Sequence, residues 1–339
     1  MPEWMPSIVG GANQVVVLVL DGLGWHQLEE RGEISPTLRS GQGGSITTVA
    51  PTTTVTALTS ITTGLCPGEH GLMGYRMDMG RRVVQMLRWA DERGDVRTTF
   101  EPALVQPTPP FLGSSVPILS KAELEGTAFT EAHLRGGKPL GWRVPSSIPV
   151  QIGELLESGS RFIYAYYDGI DKVAHERGFG AYYDAELANV DDLVGRVIER
   201  LVPGSALVIT ADHGQVQVGD NTIRLDDRLM RHVDYLSGEG RFRWIHVRRG
   251  AEAEAKKIAH DTYGDRAWVL TREEMIDAGW FGPRVTDTAR KRLGDVALVP
   301  FADVSFDDPA DHGSFALVCR HGSMTSAEID VPLLAWRKN

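Results

Sequence analysis

Four short apolar runs punctuate the chain: Val15–Leu20, Arg161–Tyr167, Ala206–Thr210 and Phe315–Cys319. Each is rich in β-branched or aromatic residues and has no polar face. That pattern predicts strands buried on both sides in a parallel sheet. Between two of them, Leu187, Val190, Val194, Val197, Ile198 and Leu201 recur at helical spacing, and Pro203-Gly204 ends the helix before the next strand. Strand alternating with helix predicts an α/β fold, a doubly wound and mostly parallel sheet. Two segments depart from this rhythm. Residues 76–150 carry many prolines and glycines and read as an elaborated connection over a sheet edge. In 220–294, strands at Phe242–Val247 and Ala267–Thr271 accompany helices at Glu252–Tyr263 and Arg272–Ala278, which predicts an inserted, smaller α+β lobe. The chain is then expected to return to the main sheet near Val296–Val299. The expected division is a catalytic domain over 1–219 and 295–339 with a cap-like lobe over 220–294.

Polar residues gain meaning from where the apolar runs stop. Asp21 follows the first run, Asp171 and His175 the second, Asp212-His213-Gly214 the third and His321 the fourth. In sheets of this kind ligands gather at the carboxyl ends of strands. Asp171 and His175, four residues apart, share a face on a helical turn. Asp212 and His213, adjacent on an extended segment, point opposite ways, and Gly214 permits a sharp turn with close backbone approach. Taken alone, each has an ordinary alternative as a turn residue, a cap or a surface histidine. Together, three carboxylates and three imidazoles suit a pair of divalent cations. Pro51-Thr52-Thr53-Thr54 precedes Val55, Leu58, Ile61 and Leu65 at roughly helical spacing, which puts Thr54 at a helix N-terminus. There the dipole and free amides favour a phosphoryl group, although Thr is also a common cap. The combination points to two-metal cleavage of a phosphoester with Thr54 as nucleophile. His312 competes weakly with His321, and His70 is placed in a loop over the site. His26, His133, His232, His246 and His260 are assigned to the surface or the inserted lobe.

Composition narrows the partners. At 339 residues, with 42% hydrophobic and 24% charged positions, the chain can bury a substantial core. A formal net charge of −10 argues against polymeric nucleic acid, while bound cations would still admit a small anionic substrate. Two cysteines, Cys66 and Cys319, make no disulfide framework. Neither a signal peptide nor an apolar run long enough to span a membrane is visible, so a cytoplasmic protein is expected. Oligomeric state stays open.

With these residues assembled, the chain resembles the alkaline phosphatase superfamily, and within it the type I phosphodiesterase/nucleotide pyrophosphatase family. The resemblance is carried by LVLDG, PTTTVTALTSITTGLCPGEHG, DGIDKVAHERG, TADHG and HGSMTSAEIDVPLL, in the family's order. It implies that Asp171, His175 and His321 hold one zinc, and that Asp21, Asp212 and His213 hold the other. Thr54 would serve as both a ligand and the nucleophile, forming a covalent intermediate. A carboxylate-rich set also accepts manganese. The implied substrate is a small organic phosphodiester or pyrophosphate. Phosphomonoesterase, phosphonate hydrolase or phosphomutase activity, or a non-catalytic metal-containing binding protein, are the alternatives. The chain departs from the family at Ala57, where an Asn is usual, and at Thr56, where a Pro is common.

Overall fold

A computed structural model describes residues 2–311 and 317–339. At its centre lies a seven-stranded sheet. In spatial order it comprises Gln42–Thr47, Asp330–Arg337, Ser205–Thr210, Gln14–Leu20, Phe162–Tyr167, Pro117–Leu119 and Lys138–Pro139. Every pairing among them is parallel except the two made by Asp330–Arg337. Gln14–Leu20 sits in the middle, with Val16 opposite both Leu207 and Ile163, and Leu18 opposite Ile209 and Ala165.

Both faces of that strand are covered, which is why its sequence is apolar throughout. Val16, Leu18 and Leu20 point to one side, into a cluster with Leu187, Val190, Val194 and Val197 of the helix Ala181–Glu199. Val19 points to the other, where Val55 and Leu58 of the helix Thr54–Thr63 pack with Tyr164 and Tyr166. The fold is therefore an α/β architecture around a mixed, mostly parallel sheet.

Three elements depart from the sequence pattern. The last strand of the main sheet is Asp330–Arg337, not Phe315–Cys319. Within that apolar run, Phe315 and Ala316 lie outside the described residues, as does His312. Cys319 pairs, with Arg320, only against Val216–Gln217 in a short antiparallel ribbon. An apolar composition marks burial, and Cys319 is fully buried, but burial does not name the sheet. Secondly, Val296–Pro300 does not rejoin the main sheet. It pairs with Phe242–Val247 and Ala267–Thr271 in a separate four-stranded sheet that also contains Val233–Glu239. Its continuous Val-Ala-Leu-Val run is explained by that central position, with the helix Glu252–Tyr263 packed on one side. Lastly, residues 76–150 supply two strands to the main sheet's edge, Pro117–Leu119 and Lys138–Pro139. At three and two residues they are too short to show a period.

Among the described residues no helix is long and apolar enough to cross a membrane.

Candidate metal centre

The carboxyl ends of three central strands meet at one point. Asp21 follows Gln14–Leu20, Asp212-His213 follows Ser205–Thr210, and the helix Gly169–Arg177 beyond Phe162–Tyr167 carries Asp171 and His175. Single donor atoms from Asp21, Asp212 and His213 lie within 4.8 Å of one another, and so do those from Asp171, His213 and His321. His213 is thus common to both groups. Its Nε2 stands 3.5 Å from Asp21 Oδ1 and 3.5 Å from Asp212 Oδ2. His175 Nε2 lies 3.2 Å from Asp171 Oδ1. The ring of His321 stacks on that of His213 at 3.6 Å and lies 5.2 Å from that of His175.

All three imidazoles are held in the same way. His175 Nδ1 is 2.7 Å from the Cys319 carbonyl, His213 Nδ1 is 3.1 Å from that of Gly214, and His321 Nδ1 is 2.8 Å from that of Thr52. A carbonyl oxygen only accepts, so each Nδ1 carries a proton and each ring turns its Nε2 to the centre. This is the usual device for presenting an imidazole to a metal. The short ribbon at Cys319 thereby acquires a purpose: its backbone fixes His175 from both ends, since Val318 N–H also donates to the His175 carbonyl.

The carboxylates are constrained too. Gly22 N–H and His213 N–H both donate to Asp212 Oδ1, each at 3.1 Å. Gly22 has φ +74°, and a Cβ there would come within 2.9 Å of the Asp171 side chain, so only glycine lets the two chain segments approach. Likewise a Cβ at Gly214 would collide with the Ala327 carbonyl. Tyr166 O–H donates to Asp21 Oδ2, and Gln215 Nε2 donates to Asp171 Oδ1 at 2.8 Å. Yet Asp21 Oδ1 and Asp212 Oδ2 are buried without any hydrogen-bond partner. Uncompensated carboxylate oxygens are costly in a protein interior, and they are what a cation would satisfy.

Electrostatics agree with a site built for positive charge. Burial, followed by the charges of Asp212 and Asp171, pushes the Asp21 carboxyl well up. Burial likewise raises Asp212 against the pull of His213. Burial raises Asp171 as well, but the surrounding imidazoles of His175, His321 and His213 outweigh it and hold that carboxyl below its ordinary range. Burial, with His213 and His175 beside it, pushes His321 far down.

Thr54 opens the helix Thr54–Thr63, and its Oγ1 lies 3.2 Å from His213 Nε2. The residue at the cap position is Thr53, in an extended conformation with no side-chain capping bond. The hydroxyl of Thr54 is accordingly not used for capping, and it stands at the first-turn amides that have no intrahelical acceptor. Asp168 precedes the helix Gly169–Arg177 without a side-chain capping bond, and its carboxylate pairs with Lys121 and Lys172.

Sequence reasoning passed over Tyr166, Gln215 and the Thr52 carbonyl, each of which fixes a ligand candidate. Tyr166 was signalled by strand parity, one residue before the strand's end. His133, assigned to the surface or the inserted lobe, instead lies in the 76–150 segment, is buried and lines the cavity beside Thr54.

Comparison with known proteins adds a family. The model of the family described as type I phosphodiesterase / nucleotide pyrophosphatase matches residues 15–149 and 154–324. No curated protein sequence matches the chain. Among solved structures, murine ectonucleotide pyrophosphatase/phosphodiesterase 5, in an inactive form bound to AMP, superposes with a TM-score of 0.70 at 16% identity. It covers 96% of this chain and 90% of its own. The human counterpart gives 0.70 at 15%, covering 96% and 89%. Phosphonoacetate hydrolase from Sinorhizobium meliloti 1021, in complex with phosphonoformate, gives 0.70 at 15%, covering 100% and 94%. At such identities the likeness is one of fold.

Proposed function

The chain belongs to the type I phosphodiesterase/nucleotide pyrophosphatase family of the alkaline phosphatase superfamily, and from that premise we propose that it hydrolyses phosphodiester or pyrophosphate bonds of a small organic phosphate. One observation carries the reading: three imidazoles with fixed Nδ1 protons and two orphaned carboxylate oxygens converge beside a threonine hydroxyl that makes no capping bond and lies 3.2 Å from His213 Nε2. This donor set fits two divalent cations, with zinc favoured by its nitrogen content and manganese admissible. Asp171, His175 and His321 would hold one. Asp21, Asp212, His213 and Thr54 would hold the other. When bound, such ions supply positive charge to the phosphoryl oxygens and lower the pKa of a coordinated hydroxyl.

The remaining work falls to the chain's own residues. Thr54 Oγ forms a bond to phosphorus as the bond to the leaving oxygen breaks in line, and the hydroxyl proton is released. Water then attacks the phosphothreonine, and the Oγ–P bond breaks to restore the hydroxyl. The first turn of the helix Thr54–Thr63 presents its amides to the negative charge that develops. Tyr166 and Gln215 keep Asp21 and Asp171 in place throughout.

A second reading, hydrolysis of phosphonates or monoesters, is favoured by Ala57, which lacks the amide that the family's Asn would offer, and by the fold shared with phosphonoacetate hydrolase. The experiment is metal analysis of the purified protein followed by an activity panel. Bis(4-nitrophenyl) phosphate, 4-nitrophenyl phosphate and phosphonoacetate would be compared at saturating zinc. Preferred turnover of the diester supports the first reading, and preferred turnover of either other compound selects the second. Metal-free protein with undiminished turnover would refute both.

A further inference from the structure

Beside the candidate metal centre lies a cavity of about 260 Å³, just under the ~300 Å³ at which pockets for drug-sized ligands begin. Asp21, Thr54 and Asp171 form one side of it. Much of the remaining surface is apolar: Leu87, Leu124, Phe129 and Leu134 from the 76–150 segment face Leu58 and Tyr164. Among the described residues, none from 220–294 lines it.

Several polar groups of this wall are already engaged within the chain, while the buried Tyr164 hydroxyl has no partner. Thr127 caps the helix Ala128–Leu134 by accepting from Thr130 N–H. Its hydroxyl donates to Thr130 Oγ1, which in turn donates to the Leu124 carbonyl. His133 gives its Nδ1 proton to the Phe129 carbonyl and stacks on the Phe129 ring at 4.0 Å. Burial pushes His133 down to about 4, so it carries no charge. At the rim, Asp168 is matched by Lys121 and Lys172. A sugar or a nucleobase placed here would give up its hydrogen bonds to water and find few in return, whereas an apolar group would lose nothing.

We infer that this site takes phosphate esters or phosphonates whose organic group is uncharged, apolar and about one ring in size, in preference to nucleotides, with Leu87, Leu124, Phe129 and Leu134 setting that preference. The inference rests on the reading of the adjoining centre as one that hydrolyses phosphoesters, and it specifies the organic half of the substrate.

The test is calorimetric titration of the zinc-loaded protein with methylphosphonate, phenylphosphonate and thymidine 5′-monophosphate. Phenylphosphonate should bind at least about tenfold more tightly than methylphosphonate, the gain from burying one ring, and more tightly than the nucleotide. Leu124→Gln should reduce that phenyl-to-methyl ratio by about threefold or more. Leu87→Ser, at the exposed mouth where the fold tolerates change, should reduce it in the same direction. A nucleotide bound as tightly as phenylphosphonate, a ratio near one, or a ratio unmoved by both substitutions would overturn the inference. Binding needs no turnover. Absence of hydrolysis across the ester panel would therefore defeat the functional reading while leaving this ratio to be read.

Discussion

Two side chains outside the expected ligand set have measurable work at the residue scale. Tyr166 donates to Asp21, whose other oxygen stands 3.5 Å from His213 Nε2, and Gln215 donates to the Asp171 oxygen that lies 3.2 Å from His175 Nε2. Replacing such a partner typically weakens metal affinity or activity about 10–100-fold while sparing the fold. Gln215→Leu should therefore lower zinc affinity within that range, as read by competition against a chelating indicator. An affinity within twofold of the wild type would show that Asp171 needs no help. Tyr166→Phe should act the same way on Asp21, and its effect should be confined to metal binding, since the ring continues to pack beside Val19 and Leu58.

Among the elements, the least expected link joins the second sheet to the loop carrying His321. Arg241, at the turn between Val233–Glu239 and Phe242–Val247, makes two hydrogen bonds to Glu328, at 2.7 and 2.8 Å. Both side chains are 0% exposed. Glu328 also accepts from Ser323 N–H, two residues after His321, and Arg241 donates to the carbonyls of Ala302 and Val304. Removing one member of a buried pair strands the other, at a cost of about 3–5 kcal/mol, whereas replacing both with apolar groups is far milder. Arg241→Met should thus lower unfolding stability by roughly that amount, and the double change with Glu328→Leu should recover much of it. Denaturant titration decides this. A double variant less stable than Arg241→Met would show that the pair is not the unit that matters.

The molecule as a whole should respond to acid through its buried neutral histidines. Burial pushes His70 down to about 3 and His133 to about 4. His70 accepts from Leu72 N–H and bonds Ser60, while His133 donates to a carbonyl, so both are neutral in the fold. In the unfolded chain they take up a proton near pH 6.5, whereas the folded chain does not until much lower. Their contribution is therefore fully present above pH 6.5 and is lost as pH falls toward 4 for His133 and toward 3 for His70. The slope is up to about 1.4 kcal/mol per pH unit for each. His133→Gln should flatten the acid limb of the stability profile between pH 6.5 and 4; an unchanged slope would mean that His133 is protonated in the fold.

At this scale, too, the extent to which the architecture was legible in sequence can be traced to particular residues. Gln14–Leu20, Phe162–Tyr167 and Ser205–Thr210 were readable because strands buried on both faces must be apolar throughout. Their polar successors stood out for the same reason. The edge strands Pro117–Leu119 and Lys138–Pro139 were hidden by brevity. Val296–Pro300 was misplaced because a central strand reads alike in either sheet. What held His175, His213 and His321 was invisible for a different cause: backbone carbonyls of Cys319, Gly214 and Thr52 carry no side-chain signature. The cavity wall likewise formed only when Leu124 and Phe129 met Leu58 and Tyr164 across the fold.

The central claim, that Thr54 attacks phosphorus at a two-metal centre, is tested most directly by the hydrolysis rate of Thr54→Ala. It should be compared with wild type on the best ester of the panel, at saturating zinc. Loss of a nucleophile that acts as a unit with its surroundings predicts a fall of about a thousandfold or more. A variant that retains activity within tenfold of wild type would contradict the account.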